Sequence, residues 1–149
     1  MVKRVLGPAV LCALAASACT GPPGPPPTPR PSPGWAAHAS ADYTYELTSS
    51  CGERNGVGRF IVTVVDGQIT QIVGTDTTGI MAVEATPDLE EITPTIDELL
   101  ARIDAAGAGA KDVTYDATTG VPTWVLFDPD PRATDDESCY GVKNYTPTS

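Results

Sequence analysis

Eight of the fifteen residues from Thr20 to Gly34 are proline. Proline fixes φ and has no N–H to give to a helix or a sheet ladder, and nothing in this run can join an apolar core. The stretch favours extended polyproline II, at about 3.1 Å per residue, and so reaches roughly 45 Å. It divides the 149-residue chain into a leader and one folding unit, residues 35–149. At 41% hydrophobic residues over its full length, the chain can build one modest core and not two.

The leader, residues 1–18, reads as an export signal. Lys3 and Arg4 make a basic start, Val5 to Ala16 a short apolar run, and Ala16-Ser17-Ala18 a cleavage site of small residues. The run is too short to span a bilayer, which takes roughly 20 residues. Leu14-Ala15-Ala16-Ser17-Ala18-Cys19 resembles a bacterial lipobox, which implies a diacylglyceryl thioether on Cys19. Residues 19–34 are then a lipidated cysteine and its tether, holding the domain off a membrane. The alternative is plain cleavage after Ala18, which the same small residues permit.

Cysteine parity favours the lipid. Cys12 leaves with the signal, so the exported chain keeps Cys19, Cys51 and Cys139, and an odd thiol in an oxidising compartment invites mispairing. Lipidation of Cys19 leaves Cys51 and Cys139 as one pair. The bridge closes a loop of about 90 residues, for which the chain-entropy relation gives roughly 4–5 kcal/mol. Two cysteines with no nearby histidine make a poor zinc site.

The net charge is −10, and loss of Lys3 and Arg4 makes it two units more negative. That balance excludes a phosphate-backbone binder and hence a nucleic-acid partner.

Tyr43 to Leu47 alternates apolar and polar residues, the period of a half-buried strand. Arg59–Val65 and Gln68–Val73 are β-rich runs joined by Asp66-Gly67, a two-residue turn pair that tolerates positive φ and signals a hairpin. Thr75 to Ile92 is ambiguous, with a short strand expected at Ile80–Val83. Thr95-Ile96-Asp97-Glu98 is a capping box, and Ile96, Leu99, Leu100 and Ile103 form one apolar stripe. Glu98 and Arg102 stand four apart in the favoured polarity, and Gly107 ends the helix. A second hairpin, Asp112–Tyr115 with Val121–Phe127, and a last strand Tyr140–Tyr145 complete the order β, hairpin, helix, hairpin, β. This is an α+β domain: a mostly antiparallel sheet of five to six strands, one helix packed on one face, and one disulfide. Cys51 follows the first strand and Cys139 precedes the last, so a bridge fits those two strands lying side by side and antiparallel.

Several blocks are family-like in their order. They are the Tyr-x-Tyr strand leading into Ser49-Ser50-Cys51-Gly52-Glu53-Arg54, the Val-Val-Asp66-Gly67 hairpin, Thr95-Ile96-Asp97-Glu98-Leu99-Leu100, Val113-Thr114-Tyr115-Asp116, Gly120-Val121-Pro122-Thr123, and Asp135-Asp136-Glu137-Ser138-Cys139-Tyr140. Together, over Tyr43 to Pro147, they resemble the domain of unknown function 6174 family, small secreted lipoproteins common in actinobacteria. The resemblance implies an exported, lipid-anchored α+β domain and carries no catalytic residues.

Few parts are present for catalysis or cofactors. His38 is the only histidine and lies beside the tether, where no rigid shell orients it for a nucleophile. Cys51 and Cys139 lack the Cys-x-x-Cys spacing of redox enzymes. Gly56-Val57-Gly58 lacks the lysine and helix of a phosphate loop. Asn144-Tyr145-Thr146 matches a glycosylation sequon, an accidental match in a bacterial exporter. No cofactor is expected. Asp128, Asp130, Asp135, Asp136 and Glu137 crowd one loop and are the candidate ligands for a hard cation such as Ca²⁺, against a solvated acidic turn. Tyr43, Tyr45, Trp124 and Tyr140 fall on strands, either as core packing or as an aromatic binding face. The leading expectation is a non-catalytic binding module held to the outer face of the membrane through Cys19, with an envelope protein or glycan as partner. A Ca²⁺-binding or sensing lipoprotein is the alternative, and a secreted carboxylate-dependent hydrolase the second.

Overall fold

A computed structural model describes residues 34–52, 54–86, 88 and 93–148. The signal segment, Cys19 and the tether up to residue 33 lie outside the described residues, as do residues 89–91 of the acidic stretch. A four-residue helix α1 (Trp35–His38) precedes strands β1 (Tyr43–Ser50), β2 (Gly58–Val65) and β3 (Gln68–Gly74). Helices α2 (Thr77–Ala85) and α3 (Ile96–Ala106) follow, then a 3₁₀ turn and strands β4 (Ala110–Tyr115), β5 (Pro122–Phe127) and β6 (Ser138–Pro147). The six strands form one antiparallel sheet in the order β3-β2-β1-β6-β5-β4.

Local chemistry explains most of these elements. At the β2–β3 turn Asp66 and Gly67 have φ of 52° and 74°, the paired positive values of a type I′ hairpin. Helix α3 opens on the expected capping box, with the Glu98 N–H donating to Thr95 Oγ1 at 3.1 Å and the Thr95 N–H donating to Glu98 Oε2 at 2.7 Å. Glu98 is thereby turned back to the cap, and among the described residues it makes no ion pair with Arg102. Pro122 stands at the first position of β5, where its missing N–H costs no ladder bond.

Thr77–Ala85 is a helix, not the short strand expected at Ile80–Val83. Its apolar residues follow no helical stripe, so the period that reveals α3 is missing. What holds it is a cap and a close approach. Asp76 Oδ1 accepts from the N–H of Gly79 at 2.7 Å and of Arg59 at 3.2 Å, and these bonds hold its carboxyl below the usual range. A Cβ at Gly79 would lie 2.4 Å from the Arg59 carbonyl oxygen, and one at Gly74 would lie 2.3 Å from the Ile80 nitrogen. Glycine alone lets this helix seat directly on the β2 and β3 backbones.

The core lies on one face of the sheet. Alternation along β1 and β2 buries Tyr43, Tyr45 and Leu47 beside Phe60, Val62 and Val64. Ile96, Leu99 and Ile103 of α3 belong to the same cluster, and Ala82 and Val83 of α2 pack against it. Both helices thus cover that inner face. β1 and β6 lie side by side and antiparallel, with Ser50 opposite Cys139, and the Cys51–Cys139 disulfide joins their ends with Cα atoms 5.3 Å apart.

Candidate binding surface

Among the described residues no helix covers the second face of the sheet. Its side chains are the other half of the alternation: Thr44, Glu46 and Thr48 of β1, and Arg59, Ile61, Thr63 and Val65 of β2. Cross-strand register sets Glu46 between Ile61 and Lys143, Thr48 between Arg59 and Gly141, and Val73 beside Ile61. Towards β5 this surface is capped by Trp124, 36% exposed. Its indole lies over Gly141, where a Cβ would meet the ring at 3.4 Å. Glycine at 141 therefore lets the ring lie close to the strand. An aromatic plane set on a rigid sheet suits apolar contact with a partner, at little cost in side-chain entropy.

The other three aromatics proposed for a binding face are core residues. Tyr43, Tyr45 and Tyr140 are 0%, 2% and 6% exposed, because their positions in β1 and β6 face the helices. The Tyr45 hydroxyl donates to the Pro94 carbonyl, and the Tyr43 hydroxyl accepts from the Ile96 N–H at 3.2 Å. They tie the start of α3 to the sheet. Burial pushes the Tyr43 hydroxyl up to about 12 and raises Tyr45 well above the ordinary tyrosine value. Trp35 completes this end, its indole N–H donating to Asp97 Oδ1 at 2.6 Å and its ring edge-on to Tyr43 and Tyr145.

The acidic loop does not gather its carboxylates. Asp128 is paired with Lys111. Asp130 Oδ1 takes the Arg132 Nε at 3.2 Å, and Asp136 Oδ2 accepts from the Asp130 N–H at 3.2 Å. Asp135 is exposed at a positive φ of 69°, and the Glu137 carbonyl packs against Gly52. Among the described residues no group of three or more metal-ligating side chains converges. The proline turns and the local bonds separate what the sequence crowds together. His38 closes α1 at the tether end of the domain.

One feature had no sequence signal. The Arg54 guanidinium lies 4.6 Å from the Tyr140 ring centroid and donates to Ser49 Oγ at 2.7 Å. Tyr140 also lines a groove of about 410 Å³ with Arg102, Ala106, Phe127 and Ser138. The Cys51–Cys139 bridge brings the neighbourhoods of Arg54 and Tyr140 together, a contact that no local pattern encodes.

A family model described as a family of unknown function (DUF6174) matches residues 32–147. No curated protein and no solved structure matches the chain.

Proposed function

The chain belongs to this family of unknown function (DUF6174), and from that footing we propose that it is a non-catalytic interaction module, held by a lipid on Cys19 to the outer face of the membrane. The observation that carries the reading is a sheet face covered by no helix among the described residues, with Trp124 lying over Gly141 and 36% exposed. A single well-placed tryptophan can supply much of the energy of an interface. The proline-rich composition of the run between Cys19 and Gly34 supports the same reading, since such a composition favours an extended tether that would let a domain reach envelope polymers or proteins beyond the lipid surface.

The test uses the full lipidated chain in vesicles, offered isolated cell-wall glycan and purified envelope proteins. Trp124→Ala should weaken binding at least tenfold, about 1.4 kcal/mol, with the fold intact by circular dichroism. Cys19→Ala should release the chain from vesicles without changing its affinity for the partner. Binding that is indifferent to Trp124, or vesicle association that survives Cys19→Ala, sinks the corresponding half of the proposal. The Ca²⁺ reading keeps a simple test of its own: a ligand held only by the native state must raise the melting temperature, and an unmoved transition in millimolar Ca²⁺ removes it.

A further inference from the structure

The seam between β5 and β6 is closed over only part of its length. The two strands pair from Phe127 opposite Ser138 to Val125 opposite Tyr140, whereas β6 runs on to Pro147 beside β1. Past Trp124 and Gly141 a cleft of about 450 Å³ opens, the size of a small-ligand pocket. Asp116, Thr119 and Thr123 line it from the β4–β5 turn and β5, and Lys143 and Asn144 line it from β6.

The two sets of groups are prepared differently. Asp116 Oδ1 accepts from the N–H groups of Thr118 and Thr119 at 3.0 and 2.8 Å and from the Thr119 hydroxyl at 2.9 Å. The Thr123 hydroxyl shares a hydrogen bond with that of Thr114 at 2.9 Å, so these groups are fixed in advance of any ligand. Lys143 and Asn144 are exposed, and among the described residues neither side chain makes a hydrogen bond or an ion pair. Asn144 has a positive φ of 53°, where Asn144 and Tyr145 together stand against the single Tyr45 of β1. Such a bulge re-aims side chains beside a site. It also breaks the regular edge that an extended peptide would need in order to pair with β6.

Charge and hydrogen-bonding capacity select the ligand. The charged groups at the cleft are Lys143 and Asp116, with Glu46 opposite Lys143 on β1 and Asp97 bonded to the Trp35 indole that meets Tyr145 edge-on. Three carboxylates against one ammonium, on a chain of −10, repel an anion. The Lys143 ammonium in the lining repels a cation. A neutral ligand that accepts from Lys143 and both donates to and accepts from Asn144 meets neither obstacle. Trp124 sets an aromatic plane at the edge of the cleft, since Thr123 is its chain neighbour and Lys143 lies two residues along β6 from the Gly141 that the indole covers. A sugar ring has both characters, a C–H face for the aromatic plane and hydroxyls around its rim.

We infer that this cleft holds one unit of a neutral saccharide, with Trp124 as the platform at its edge. The inference rests on the proposed Trp124 surface and names the class of ligand that surface takes.

An NMR titration of the full chain in detergent tests it, with oligomers of glucose, mannose and N-acetylglucosamine as neutral probes and oligogalacturonate as the anionic control. Saturable amide shifts centred on Thr123, Trp124 and residues 141–145 are expected for a neutral probe and not for the control. Asn144→Gly keeps the positive φ and removes the amide. That variant and Lys143→Ala should each weaken binding about tenfold, the loss of one hydrogen bond, with the melting temperature unchanged. Trp124→Ala should weaken it by at least as much. No shift from any neutral probe at tens of millimolar overturns the inference, as does a preference for oligogalacturonate or binding that Asn144→Gly and Lys143→Ala leave unchanged. Trp124-dependent capture of an envelope protein with no response to sugars overturns it too, while leaving the interaction-module reading standing. Sugar binding indifferent to Trp124→Ala removes that reading, and this inference with it.

Discussion

Gly79 shows how one residue can hide a helix from sequence reading. Its missing side chain makes the segment look too irregular for a helix, yet the same absence lets α2 touch the β2 backbone. Gly79→Ala should destabilise the domain by about 1–3 kcal/mol, the usual cost of overpacking. That corresponds to a melting temperature lower by several degrees, and an unchanged transition would mean that α2 does not sit on Arg59. Tyr43 and Tyr45 make a second residue-scale prediction. Their hydroxyls stay protonated in the folded protein up to about 12 for Tyr43 and well above the ordinary value for Tyr45, whereas unfolded tyrosine ionises near 10. Folded values raised in this way contribute stability that is complete below about pH 10 and is lost as pH climbs towards 12. Tyrosinate absorbance and circular dichroism should therefore change together in that window. Ionisation of both tyrosines near pH 10 with the sheet intact would contradict their burial.

Among elements, those governed by near neighbours were legible. The Asp66-Gly67 hairpin, the capping box at Thr95 and the apolar stripe of α3 each depend on residues within a turn or two, so pattern and structure agree. Helix α2 was not legible, because it is held by close approach to the β2 and β3 backbones at Arg59 and Gly74 and not by an apolar stripe of its own. The disulfide is an intermediate case: cysteine parity and strand position together indicated β1 beside β6, and the sheet has that pairing. Removing the bridge with Cys51→Ala and Cys139→Ala should cost about 2–4 kcal/mol, seen as a lower urea midpoint. The Tyr140–Arg54 contact should loosen with it, since the turn that carries Arg54 starts at Cys51. A midpoint unchanged by the double substitution would assign the β1–β6 register to core packing alone.

For the molecule as a whole, the sequence by itself determined a single α+β unit, its antiparallel hairpins, the limits of α3 and the partner of each strand-end cysteine. These follow from turn chemistry, caps, alternation and parity, all of which act locally or by counting. Only the tertiary structure decided which face of the sheet the helices cover. An alternation of period two is the same whichever side is buried, so Tyr43, Tyr45 and Tyr140 read as well for a binding face as for a core until α3 is placed above them. Trp124 comes out exposed for the converse reason, standing on the opposite pleat. The acidic loop is a partly local case: Asp128 is held by Lys111 from β4, Asp130 by Arg132 and Asp136 by the Asp130 N–H within the loop, and the described carboxylates do not converge. Burial and convergence depend on contacts between distant segments, and a linear pattern lists the groups without saying which of them meet.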